Sequence, residues 1–162
     1  MKNKLVVENP ATNEVSYEVE AMTEKEIREA AKRAVKAQSE WKSAPVKERV
    51  ELVERFIACL FSERRRISEE MTLQMGKPLW QADREVDGCA KRALHMASIA
   101  EDSLKDIMIQ SDDSGFMKIA LEPKGVILDI ASWNYPLMVA VSAVAPAVLA
   151  GNAVLLKHSS QT

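Results

Sequence analysis

Residues 125–160 read GVILDIASWNYPLMVAVSAVAPAVLAGNAVLLKHSS, and the fold is decided there. After Gly125 an apolar run of Val126, Ile127 and Leu128 continues through Asp129 and Ile130 into Ala131, Ser132, Trp133 and Asn134. Pro136 then stands where a helix tolerates proline best, in its first turn, because the N–H lost there has no helical partner. Small and apolar residues follow up to Gly151 and Asn152, a helix-stop signal. A second apolar run, Ala153, Val154, Leu155 and Leu156, ends at Lys157. Strand, loop, helix, stop and strand predict one βαβ unit. Strands this continuously apolar suit a parallel sheet with helices on both faces. Ligands of such sheets sit beyond the carboxyl ends of the strands. Here those ends carry Ser132, Trp133 and Asn134 on one side and Lys157, His158, Ser159 and Ser160 on the other. They are the most polar points of the stretch.

Upstream, Leu5, Val6 and Val7 precede a turn at Asn9, Pro10, Ala11 and Thr12, and alternating Val15, Tyr17 and Val19 predict a half-buried returning strand. Thr23 and Glu26 form a capping-box pair that opens a helix with Ile27, Ala30, Ala31, Ala34, Val35 and Gln38 on one face, closed by Trp41. Pro45 starts a second helix with Val46, Val50, Val53, Phe56, Ile57 and Leu60 as its buried row. A third piece, after Arg64, Arg65 and Arg66, stops at Gly76 with Pro78 two residues later. From Leu79 to about Leu104 a long amphipathic helix places Ala82, Val86, Cys89, Ala93, Met96 and Ala100 inward. Gly88 within it costs about 1 kcal/mol relative to alanine, so a close packing contact or a kink is expected there. A turn at residues 111–115 leads to a strand over residues 116–121. The fold class is α/β: a hairpin and a helical layer, then the first βαβ unit of a Rossmann-like cofactor domain.

The chain has 162 residues and a net charge of -2, so neither a nucleic-acid partner nor an acidic tail is indicated. The arginine run reads as a solvated helix end that compensates the dipole rather than as a DNA-binding face. The most apolar window, residues 136–156, is broken by Ser142, Pro146, Gly151 and Asn152, which fits a buried helix and not a membrane span. The N-terminal residues MKNKLVVENP lack a signal-peptide core, and Cys59 and Cys89 sit in helical patterns as buried thiols, so the expected compartment is the reducing cytoplasm. No Cys, His or carboxylate stands at metal-ligand spacing from His95 or His158, and no metal is expected. The adjacent acids at 69–70 and 112–113 read as solvated surface. No G-x-G-x-x-G turn follows Gly125. Asn134 has two readings of equal weight, an amide donor to an oxyanion or an asparagine satisfying its own turn. Lys157 suits a ribose or phosphate, or is simply a solvated strand end.

In order and at matching spacing, the chain carries Asn9, Pro10, Ala11, Thr12; Trp41 and Arg49; Gly76, Lys77, Pro78 with Glu85 and Val86; Glu122, Pro123 and Gly125; Trp133, Asn134, Tyr135, Pro136; Ala150, Gly151, Asn152; and Leu156, Lys157. In this it resembles the N-terminal third of the NAD(P)-dependent aldehyde dehydrogenase superfamily along nearly its whole length. The resemblance implies that Asn134 stabilises the oxyanion of a thiohemiacetal, the one catalytic residue of this segment. It implies that Ile130, Ala131, Ser132 and Trp133 line the cofactor cleft and that Lys157 binds the adenosine ribose. NAD-preferring members often place Glu three residues after that lysine; here Ser160 occupies the position with Ser159 beside it, which leans the cofactor from NAD towards NADP. Two departures stand out: Ser132 replaces the usual proline before Trp133, and His158 follows the lysine, as in relatives similar to succinate-semialdehyde dehydrogenases.

The family's nucleophilic Cys and general-base Glu lie downstream of Thr162. The chain therefore reads as an N-terminal piece of a cofactor domain, with an extended connector at 107–121 and the βαβ unit at 122–162. It is expected to be inactive alone; the alternative is a non-catalytic short homologue acting as an interaction partner or remnant. The complete protein would oxidise a small-molecule aldehyde to a carboxylate as a homo-oligomer, a dimer or tetramer.

Overall fold

The computed structural model describes residues 3–112 and 115–162. The first hairpin pairs β1 (Lys4–Glu8) with β2 (Val15–Glu20) antiparallel, Leu5 opposite Val19 and Val7 opposite Tyr17. Its connecting turn closes through the Asn9 amide donating to the Glu14 carbonyl at 2.8 Å. The expected half-buried face forms only in part, since Val7 is buried and Leu5 and Val19 are half-buried while Val15 and Tyr17 are exposed. Alternation gives a face its polarity, but the covering element must come from elsewhere, and among the described elements only α3 touches this hairpin.

Helix α1 (Glu24–Trp41) opens with the predicted capping box: the Glu26 amide donates to Thr23 Oγ1, and the Thr23 amide donates to Glu26 Oε2. Its alanine face lies over the parallel strands, while Ile27 and Val35 remain exposed. Helix α2 (Val46–Ser62) buries Val53, Ile57 and Leu60, but Phe56 and Cys59 face outward. Both expectations of burial fail there because helical periodicity defines a stripe without saying how wide a neighbour covers it.

Helix α3 (Arg64–Met75) begins with the arginine run, so these charges sit at the positive end of the dipole and do not compensate it. They are held by carboxylates instead. Arg64 bonds Asp83 and Asp87 of the next helix, Arg65 pairs with Glu69, and Arg66 bridges Glu63 and Glu70. The stop is as predicted, with Gly76 at φ 70°. A Cβ on Gly76 would lie 2.8 Å from Pro10 Cγ, so the glycine also lets the first hairpin's turn seat against the helix end.

Helix α4 (Leu79–Ser103) is the spine. Its buried face is built from Ala82, Val86, Cys89, Ala90, Ala93, Ala97 and Ala100, which pack against Val53, Ile57 and Leu60 of α2, Met71 of α3, and a later helix. Side chains this small bring helix axes close. Burying Val86 completely is worth about 2 kcal/mol. The cost of Gly88 has the expected packing reason: a Cβ there would stand 3.0 Å from Met138 Sδ.

The connector is not a single strand. β3 (Ile107–Asp112) and β4 (Gly115–Ile119) form an antiparallel hairpin with Asp112 opposite Gly115; Asp113 and Ser114, within the predicted turn, lie outside the described residues. Every described side chain of both strands is exposed. The predicted βαβ unit follows as β5 (Val126–Ile130), α5 (Pro136–Leu149) and β6 (Ala153–Lys157), its strands parallel with Val126 beside Ala153. The chain is thus an α/β structure of small sheets and a helical layer. Among the described residues no helix is long and apolar enough to cross a membrane.

Candidate active site

The crossover through α5 sets the two strand ends side by side. Ile130 is the register partner of Lys157, and the Ala131 amide donates to the Lys157 carbonyl at 3.0 Å. Ala131 is buried, whereas Ser132, Trp133 and Asn134 turn into solvent. Ser132 Oγ donates to Asn134 Oδ1 at 2.8 Å. That bond fixes the carboxamide and leaves its nitrogen as the side chain's remaining donor, the group an oxyanion needs. The Asn134 amide oxygen is thus engaged within its own loop.

Trp133 and Ser160 share one cleft of about 370 Å³ with Val6, Glu8, Pro10, Met75 and Gln161. Asn134 and Lys157 do not line it. Lys157 and Ser160 are exposed and Ser159 is half-buried, its Oγ accepting from the Gln161 amide at 3.1 Å. No carboxylate side chain occurs in residues 157–162; the polar end of β6 carries the Lys157 ammonium, the His158 imidazole, the Gln161 amide and the hydroxyls of Ser159, Ser160 and Thr162. This donor set fits a phosphorylated ribose better than one that depends on a carboxylate to chelate the 2′-hydroxyl. Ile130 is exposed beside Lys157, while Asp129, one residue earlier, is buried with Oδ2 unpaired among the described residues; nothing in the structure explains that orphan.

Four residues that sequence reasoning passed over as landmarks turn out to hold this site. Glu85 on α4 has a completely enclosed side chain, and its Oε1 accepts from the Leu137 and Met138 amides at 3.0 and 3.3 Å. Its Oε2 pairs with Lys77, whose ammonium also donates to the Asn134 carbonyl at 3.1 Å and lies 4.1 Å from the Tyr135 ring centroid. At the other end of α5, Arg49 from α2 donates to the Leu149 and Lys42 carbonyls at 3.0 and 2.8 Å. Burial lowers the pKa of this guanidinium from its ordinary value, and its Nε is enclosed without a partner. Asn152 links helix end to strand start: Oδ1 accepts from the Gly125 amide at 2.9 Å and Nδ2 donates to the Ala147 carbonyl at 3.1 Å. The available signal for Glu85 was a carboxylate adjoining the apolar stripe of Ala82, Val86 and Cys89.

Cys89 is not set up as a nucleophile. Burial, helped by the Glu85 carboxylate, pushes the Cys89 thiol up to about 11. Among the described residues no group of three or more His, Cys, Asp or Glu side chains is placed to hold a metal ion.

The family model described as "Aldehyde dehydrogenase family" matches residues 1–162. The NADP-dependent glyceraldehyde-3-phosphate dehydrogenase of Arabidopsis thaliana is 30% identical over 164 residues, covering 97% of this chain and 33% of the relative. Succinic semialdehyde dehydrogenase from Streptococcus pyogenes, solved in complex with NADP+, superposes with a TM-score of 0.88 at 30% identity over 97% of this chain and 34% of its own. NADP-dependent glyceraldehyde-3-phosphate dehydrogenase from Bacillus halodurans, solved with NADP, gives a TM-score of 0.90 at 29% identity, covering 98% of this chain and 34% of that one. The chain thus spans about a third of the length of the proteins it matches.

Proposed function

The chain belongs to the aldehyde dehydrogenase family, and on that premise we propose that the complete polypeptide oxidises an aldehyde to a carboxylate with NADP, this segment supplying the oxyanion donor and the adenosine end of the cofactor site. The observation that carries this reading is Asn134 at the carboxyl end of β5, its amide oxygen taken by Ser132 and its nitrogen left to donate. In the transition state of attack on an aldehyde the carbonyl oxygen gains negative charge, and a preoriented amide N–H stabilises it without reorganisation. The attacking thiolate and the base come from residues beyond those here, since Cys89 is enclosed and protonated. Bound cofactor supplies the two-electron acceptor. Lys157 holds the ribose, Ser159 and Ser160 accept a 2′-phosphate in place of a repelling carboxylate, and Ile130, Ala131, Ser132 and Trp133 line the approach. The two neighbours described above, each solved with NADP, support that choice.

Residues 107–121 act as the connector, 122–162 as the first unit of the cofactor domain, and the complete protein as a cytoplasmic homo-oligomer. The free cysteines are consistent with a reducing compartment. For the substrate we favour a small carboxylated or phosphorylated aldehyde, the kind named for the relatives.

In the complete polypeptide, Asn134→Ala is expected to lower kcat by about 10²- to 10³-fold, the usual effect of losing one oxyanion donor, with KM for NADP nearly unchanged. Steady-state kinetics with both cofactors checks this. Undiminished kcat, or a clear preference for NAD, contradicts the respective half of the reading.

A further inference from the structure

We infer that Lys77 and Glu85 are positioning residues for the oxyanion donor: a buried ion pair that fixes the backbone from the Asn134 carbonyl into the first turn of α5. This rests on the role proposed for Asn134. Helix α5 starts without a cap of its own. Tyr135 at the N-cap makes no side-chain cap bond, and Pro136 has no N–H, so the orphan donors of the first turn are Leu137 and Met138. A serine, threonine or aspartate at the N-cap would ordinarily satisfy them. Here Oε1 of Glu85 does so from another helix, placing a carboxylate at the positive end of the α5 dipole.

A lone carboxylate with a fully enclosed side chain would be unfavourable, and Lys77 supplies its counter-charge. The same ammonium takes the Asn134 carbonyl and covers the Tyr135 ring, so one cation ties the residue before the helix to the carboxylate that caps it. The Asn134 peptide is therefore clamped from its carbonyl side by Lys77 and, three residues on, from the helix side by Glu85. The hydrogen bond from Ser132 then needs to fix only the side-chain torsions. An oxyanion donor has to be held this closely, since misplacement by about 1 Å costs on the order of 10²-fold in rate.

The test joins amide hydrogen exchange, read by mass spectrometry, with steady-state kinetics on the complete polypeptide. Glu85→Ala should speed exchange at least tenfold in peptides spanning Leu137 and Met138, leave peptides from α4 unchanged, and lower kcat at least tenfold with KM for NADP within about twofold. Glu85→Gln keeps an acceptor for the two amides and should retain most of their protection. Lys77→Met removes both the hold on the Asn134 carbonyl and the counter-charge of Glu85, so it should lower kcat and weaken that protection as well. Lys77→Met combined with Glu85→Gln leaves no buried charge unpaired and should keep the protection yet lower kcat. Unchanged exchange at Leu137 and Met138 in Glu85→Ala overturns the proposal. So does loosening spread along α4, or equal loss in Glu85→Gln and Glu85→Ala, either of which marks a merely structural carboxylate. Failure of the underlying oxyanion role shows separately, as an Asn134→Ala variant with undiminished kcat.

Discussion

Cys89 shows how far a single residue's chemistry follows from its surroundings. It lies on the inner face of α4 at 1% exposure, near Glu85, and its thiol is pushed up to about 11. A folded-state pKa above the unfolded one means that the native state holds this proton longer. The associated stability is complete below about pH 8.5, the ordinary thiol value, and is lost as pH rises through about 11. The unfolding free energy of the wild type, measured against Cys89→Ala, should therefore fall by about 2 to 3 kcal/mol across that window. Urea titrations at a series of pH values check it, and a difference independent of pH would contradict it. The inward position of Cys89 was legible because its helix repeats small apolar residues over seven turns. Cys59 was misread because it stands at the edge of a shorter stripe, where coverage depends on what lies opposite. Asn134 was legible as a residue at a strand end, but the bond its amide oxygen accepts from Ser132 was not.

Element ends were the most legible part of the chain when the cap lay close in sequence. The Thr23 and Glu26 box, the left-handed Gly76 and the stop at Gly151 all form as their spacing predicts. The stop at α5 is a complete Schellman motif. The Asn152 amide donates to the Ala147 carbonyl at 2.9 Å and the Gly151 amide to the Val148 carbonyl at 3.0 Å. Gly151 sits at φ 85°, and a Cβ on it would meet the Arg49 guanidinium at 3.0 Å. Gly151→Ala should accordingly cost about 2 kcal/mol, from left-handed backbone strain and displacement of that guanidinium. Chemical denaturation of the variant reads this directly, and a cost below that of an ordinary surface change would contradict it. The other caps of α5 were illegible. Glu85 reaches its N-terminus from 52 residues upstream and Arg49 its C-terminus from 100 residues upstream. The arginine run misled for the same reason: its carboxylate partners include Asp83 and Asp87 on a different helix.

For the molecule as a whole, the core is a helical layer around α4, and the sheets hang on it unevenly. Leu128 and Ile130 on β5 and Leu156 on β6 are at least half exposed, and β3 and β4 touch no other described element. Apolar surface left open in this way is expected to be covered by another surface. Phe116, the most exposed large apolar side chain among the described residues at 71%, belongs to that second hairpin. Phe116→Glu should change the unfolding free energy by less than about 0.5 kcal/mol, since the side chain is outside the core. It should also shift the sedimentation-average mass of the chain downward at a given concentration. A large loss of stability would mean that the hairpin is part of the cooperative unit after all.

By itself, the sequence determined the α/β class, the order of helices, the parallel crossover and the identity of the strand-end residues. These depend on periodicity and turn chemistry, which act over a handful of neighbouring residues. Tertiary structure alone decided which stripes are covered, that the connector is a hairpin, and that Lys77, Glu85, Arg49 and Asn152 hold the site. Those outcomes depend on groups far apart in the chain meeting in space. A buried charge or an uncapped helix end finds its partner only where the packing of whole helices brings one within hydrogen-bonding distance.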